Sequence, residues 1–192
     1  MVKDNLFVHI PRTGGTSIHA CLGEYATART DHILGTTAKK KWPEYFRYTF
    51  MRNPYTRMVS LYEYQFIDPP DLHSATGKSL FPLTFEKYVN TITNKYDGSY
   101  ERWIFVQATL QTDWVFDDDN CLTVDYIGRT EFISADANAI AKMIGVENFI
   151  NIKHLNQSSW RNENYKDYYN DDIRKKVKKH YQKDIEFLKV KF

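Results

Sequence analysis

At 192 residues, with 26 Lys+Arg against 24 Asp+Glu and a formal net charge of +2, the chain is long enough to bury a real core and too weakly basic for general nucleic-acid binding. Its two cysteines, Cys21 and Cys121, have no metal-ligand spacing, so reduced structural thiols in a reducing compartment are expected rather than a disulfide scaffold. Aromatic residues at 16% supply ring surface chiefly for packing, and no long apolar stretch precedes the first strand, so a cytoplasmic protein without membrane contact is the expectation.

Residues 6–10 form a short apolar run of the parallel-strand type, and Pro11 stops it. From Thr16 onward Ile18, Cys21, Leu22 and Tyr25 fall at helical spacing, so strand, turn and helix meet at Gly14-Gly15. Such a junction directs the first N–H groups of the helix into the loop, where the positive end of the helix dipole favours a phosphate or sulfate. The glycines allow close backbone approach. Arg12 adds a full charge, and the hydroxyls of Thr13, Thr16 and Ser17 add further donors. The pattern approaches the nucleoside-triphosphate loop G-x-x-x-x-G-K-[ST] but lacks its first glycine and its lysine, which removes most support for ATP or GTP hydrolysis. A plain strand-to-helix turn would use the same two glycines.

Residues 25–37 are polar and include Asp31-His32, after which Lys39-Lys40-Lys41 leads through Trp42-Pro43 to a second strand over 45–51 with Phe46, Tyr48 and Phe50 on one face. Asn53 is suited to cap and Pro54 to open a helix over 54–64. Arg52 precedes that helix, and Ser60 lies one turn beyond Thr56 on a single face, so Arg52 and Ser60 are candidates for a second anion. The competing reading pairs Arg52 with a carboxylate and leaves Ser60 to helix packing.

Residues 65–82, with Pro69, Pro70 and Pro82, read as an irregular excursion, and Thr84 as the cap of a helix with Phe85, Tyr88, Val89 and Ile92 facing the core. Between 95 and 120, Tyr100, Trp103, Phe105, Trp114 and Phe116 are read mainly as packing. Asp117-Asp118-Asp119-Asn120 lacks the alternating ligands of a calcium loop and predicts a solvated turn, with no metal. A third strand over 122–128 runs into Arg129-Thr130-Glu131, then a helix over 135–144 closed by Gly145, and a short strand over 149–152. Asn170 opens a terminal helix with Ile173, Val177, Tyr181, Ile185 and Leu188 on one stripe and a solvated lysine face opposite. Strands alternating with helices, without repeats, predict an α/β sheet with helices on both faces.

Phe7 to Ser17, taken with Tyr48-Thr49-Phe50-Met51-Arg52-Asn53-Pro54-Tyr55-Thr56-Arg57-Met58-Val59-Ser60-Leu61-Tyr62, resembles the two cofactor motifs of sulfotransferases that use 3′-phosphoadenosine-5′-phosphosulfate. The similarity is greatest to the carbohydrate-type branch, whose motifs read like I-P-K-T-G-G-T-S and R-N-P-x-x-R-x-V-S-x-Y. It extends to Asp125 through Glu131, His154 through Ser158 and Tyr168 through Asp172, which covers nearly the whole chain.

The resemblance implies a P-loop-like three-layer fold with a mostly parallel central sheet, and one domain over residues 1–192 with an acceptor-side excursion at 65–120. It implies that Arg12, Thr13, Gly14, Gly15, Thr16 and Ser17 hold the 5′-phosphosulfate, that Arg52 and Ser60 hold the 3′-phosphate, and that Arg129 also reaches the nucleotide. The acceptor would be a glycan or small hydroxylated metabolite. Arg12 and His32 become the catalytic pair, one meeting the leaving oxygen and the other taking the acceptor's proton, with Asp31 and Glu63 as alternative bases. Two departures stand out: arginine replaces lysine at position 12, and Gln107 stands where relatives often carry a histidine. The alternatives are a degenerate domain that binds the nucleotide without transfer and, more remotely, a nucleotide kinase.

Overall fold

The protein is described by a computed structural model over residues 3–28, 32–67, 84–94, 106–147, 152 and 164–192. It divides into two compact units, residues 1–52 with 110–157 and residues 53–109 with 158–192.

In the first unit, β1 (Asn5–Phe7), β2 (Phe46–Met51) and β3 (Tyr126–Arg129) form a parallel sheet in the order β1-β2-β3. Phe7 is opposite Tyr48, and Met51 is opposite Arg129. The crossover from β1 to β2 contains α1 (Gly15–Leu22) and α2 (Gly35–Lys41). A four-residue helix, α5 (Thr112–Val115), precedes β3, and a 3-10 turn (Thr130–Phe132) leads from β3 into α6 (Ile133–Ile144). Gly145 ends α6 at φ 91, as the glycine in the sequence suggested. The core packs Phe7, Tyr48 and Phe50 of the sheet against Ile18 and Leu22 of α1 and Ile133, Ala137, Ile140 and Ile144 of α6. On the alternate side of β2, Arg47 donates to the carbonyls of Trp42, Pro43 and Thr123, which ties the end of α2 to the approach to β3.

Two local expectations are corrected. The third strand begins at Tyr126 rather than 122, because Leu122 bridges Phe116 across the turn at Asp117–Asn120 instead of joining the sheet. In that turn the Asp117 carboxylate accepts from Cys121 N–H at 2.7 Å and the Asp117 carbonyl from Asn120 N–H at 2.9 Å, consistent with the solvated turn expected there. Helix α2 was not anticipated: within it only Gly35 and Ala38 are buried, so it has no apolar stripe to read.

The second unit is helical. α3 (Pro54–Tyr62) is capped by Asn53, whose Oδ1 accepts from Tyr55 N–H at 3.0 Å, and it continues as a π-helical turn (Glu63–Ile67). α4 (Phe85–Thr93) is capped by Thr84 and buries Phe85, Tyr88, Val89 and Ile92, the residues its pattern selected. The terminal helix is two helices, α7 (Asp171–His180), capped by Asn170, and α8 (Gln182–Leu188). The backbone leaves helical geometry at Tyr181, a residue buried to 1% exposure whose hydroxyl donates to the Ala108 carbonyl.

Among the described residues, no helix is long and apolar enough to cross a membrane. Of the excursion expected at 65–82, residues 65–67 belong to the π-helical turn and 68–82 lie outside the described residues. So do Tyr100, Trp103, Phe105, the motif at 154–158 and residues 149–151 of the strand expected at 149–152, of which Ile152 is not in a strand.

Candidate functional site

The loop after β1 is built by backbone constraints. Val8 extends the ladder by donating to the Tyr48 carbonyl at 2.8 Å, and Thr49 holds the Val8 carbonyl through its hydroxyl at 2.6 Å. The chain then turns sharply, with Arg12 at φ 63 and Gly14 at φ 89, both left-handed. A non-glycine residue rarely adopts that region, and such outliers cluster where a loop is held for function. At Gly14 the left-handed φ is joined by close packing, since a Cβ there would lie 2.9 Å from Ile133 Cδ1.

Helix α1 starts at Gly15, and its first i→i−4 bond runs from Ile18 N–H to the Gly14 carbonyl at 3.1 Å, with no side-chain cap. The N–H groups of Gly15, Thr16 and Ser17 therefore lie at the positive end of α1, where an anion is favoured. Gly15 is buried beneath an imidazole: a Cβ on it would stand 1.8 Å from His9 Nε2. Thr16 is exposed and Ser17 buried. Thr13 is fully buried, and its hydroxyl donates to the Ile10 carbonyl at 2.9 Å, so its contribution to an anion would come through the backbone.

Three later residues converge on this loop. Arg52, at the end of β2, directs Nη1 to the Arg12 carbonyl at 3.5 Å, which brings the arginine of the second motif to the first. Gln111 fixes Arg52 by its backbone, with Oε1 accepting from Arg52 N–H and Nε2 donating to Arg52 C=O, both at 2.8 Å. Thr130 completes the assembly, because its hydroxyl faces the Thr13 carbonyl at 2.9 Å and the Met51 carbonyl at 3.3 Å. Gln111 and Thr130 were not singled out from sequence. Both act on backbone carbonyls and amides, which leave no residue pattern.

Arg129 lies at the end of β3, where its N–H donates to Asp136 at 2.6 Å and its guanidinium pairs with Glu131 at 3.3 Å. His32 adopts φ 50 and is exposed, with Nδ1 3.1 Å from the His9 carbonyl and its ring 4.5 Å from that of His9. The pKa of His9 is lowered to about 3, first by burial and then by the neighbouring His32, His19 and Arg12, so its ring is neutral in ordinary solution.

Ser60 belongs to the second unit, where it is buried on α3 at 1% exposure. Thr56, one turn earlier, donates its hydroxyl to the Asn53 carbonyl at 3.0 Å. Arg57, inside the same motif, is a structural arginine: it is 1% exposed and donates to the carbonyls of Thr109 and Gln107 at 2.9 and 2.6 Å. No group of three or more His, Cys, Asp or Glu suited to a metal occurs among the described residues.

The arrangement in the first unit offers backbone donors, a helix N-terminus, two arginines and an exposed imidazole around one loop. Such a set has the chemistry to accommodate an anion. A family model described as "Sulfotransferase family" matches residues 6–190. No curated protein and no solved structure matches the chain.

Proposed function

The chain belongs to the sulfotransferase family, and from that premise we propose that it moves a sulfuryl group from 3′-phosphoadenosine-5′-phosphosulfate to a hydroxyl or amine of a glycan or small metabolite by in-line transfer. The donor supplies an activated sulfuryl group, whose bond to the bridging phosphate oxygen breaks as the bond to the acceptor forms. The observation that carries the reading is the contact of Arg52 with the Arg12 carbonyl, since a doubly anionic ligand needs two cationic sites held at a fixed separation.

In this reading Arg12 and the N-terminus of α1, with Thr13 through Ser17, hold the phosphosulfate and neutralise the charge that grows on the leaving oxygen. A guanidinium keeps its proton at neutral pH, so Arg12 works by charge and not as an acid. Arg52 would take the 3′-phosphate, with Ser60 as the further residue that the motif assigns to it. Arg129, already paired with Glu131, would contribute less charge than an arginine without a carboxylate beside it. His32 takes the acceptor's proton: its Nδ1 faces a carbonyl, which only accepts, so the neutral ring carries its hydrogen on Nδ1 and its lone pair on Nε2.

Calorimetric titration with 3′-phosphoadenosine-5′-phosphate, AMP and Mg-ATP tests the donor. Selective binding of the bisphosphate, weakened by at least ~2 kcal/mol in Arg52→Ala, is the expected result. Equal or better binding of Mg-ATP, or no binding of the bisphosphate, would overturn the proposed donor.

A further inference from the structure

His9 lies inside a group of rings that continues past the anion loop. Its imidazole stacks on Phe7 at 5.3 Å and 20°, meets His19 edge-on at 5.4 Å and lies 4.5 Å from His32 at a 32° tilt. Trp114 closes the far side of His32 edge-on at 6.4 Å. Opposite these rings, His9 Nε2 occupies the space where any side chain at position 15 would begin. His9 is thus fixed between Phe7, the backbone of the anion loop and His32.

His32 is joined to His9 through both parts of that residue, ring to ring and Nδ1 to carbonyl at 3.1 Å. The contact of Nδ1 with the His9 carbonyl sets which nitrogen carries the hydrogen, and the His9 ring, with Trp114 edge-on, sets how the His32 ring is turned. We propose that His9 is a positioning residue for His32: its ring, seated on Gly15, holds the His32 imidazole with Nδ1 on the His9 carbonyl and leaves Nε2 as the proton-accepting atom.

The inference rests on the reading of His32 as the acceptor's base. The titratable and charged groups facing His9 are His19 from α1, Arg12 from the loop and His32 itself. All three disfavour charge on His9, and burial does so more strongly. Its neutral ring can pack against the loop without placing a further cation beside His32. A group with a pKa of about 3 is also a poor proton acceptor near neutrality, so the buried His9 ring packs and positions rather than taking the proton itself.

The test is nitrogen-15 NMR of the imidazoles on the whole chain, with bisphosphate titration and sulfate release from the donor to water as functional readouts that need no acceptor. The wild-type His32 should show a protonated Nδ1 and a bare Nε2. His9→Ala should shift that signature towards the opposite tautomer and slow sulfate release about tenfold, a fraction of what a general base supplies, with bisphosphate affinity kept. His9→Gln, whose planar amide fills much of the same space, should preserve the signature. In a His32→Ala background, His9→Ala should slow release less than about twofold, because one residue acts through the other.

A protonated Nε2 in the wild type, a signature unmoved by His9→Ala, or additive losses in the double variant would each overturn the proposal. Failure of the underlying reading looks different: His32→Ala would release sulfate at the wild-type rate, whatever tautomer the wild-type ring shows.

Discussion

Alanine at position 15 would be a small change in sequence with a large steric effect. Its Cβ would lie 1.8 Å from His9 Nε2 and 2.4 Å from both Cδ2 and Cε1, well inside contact distance of a whole ring edge. The ring cannot simply move back, since Phe7, His19 and His32 pack around it. Overpacking of a fixed site costs about 1–3 kcal/mol. Against this, alanine's helix propensity advantage over glycine is at most about 1 kcal/mol in a helix interior, and position 15 is the first residue of α1. Net destabilisation of about 1–2 kcal/mol is therefore expected for Gly15→Ala, measured by urea unfolding. The same substitution made in His9→Ala, where the obstructing ring is gone, should cost less than about 0.5 kcal/mol or be favourable. A Gly15→Ala protein as stable as wild type, or equal costs in the two backgrounds, would refute the reasoning that His9 occupies this space.

Gln111→Leu should destabilise the chain by about 1–3 kcal/mol in urea unfolding, because it leaves the N–H and carbonyl of Arg52 facing an apolar group. It should also weaken bisphosphate binding, which calorimetry would detect. His9 titrates near 3 folded against an ordinary 6.5. The unfolded chain therefore binds the extra proton between these values, and stability should fall by up to about 1.4 kcal/mol per unit as pH drops through that window. His9→Gln should flatten this acid slope in unfolding measured at stepped pH, and an unchanged slope would contradict the burial of a neutral ring. Arg57→Met should cost at least about 2 kcal/mol, since the carbonyls of Gln107 and Thr109 lose their buried donor. Hydrogen exchange should show the loss concentrated in the second unit.

The parts legible in the sequence were those whose cause is local. Asn53, Thr84 and Asn170 cap helices because a short polar side chain reaches the N–H two or three residues ahead, and each does so here. The glycine turn was readable because only a few residue types tolerate its backbone, although Arg12 occupies a left-handed position that no rule would have assigned to arginine. What escaped depends on distant partners. Gln111 meets Arg52 across 59 positions and Thr130 meets Thr13 across 117, through backbone atoms that every residue possesses. The break at Tyr181 escaped because apolar residues keep helical spacing across it in the sequence, whereas in α8 the buried positions are Asp184 and Leu188 and Ile185 is only half-buried.

The clamp of Gln111 on Arg52 separates two properties that a single residue usually combines. The amide plays the part of a neighbouring strand, so the backbone course at the end of β2 is specified from position 111 and owes little to the side chain at 52. Arginine can be exchanged there for a neutral residue without the strand end losing its partner. Architecture and charge are then inherited independently: a descendant of this chain can lose the cation at position 52 in one substitution and keep its shape.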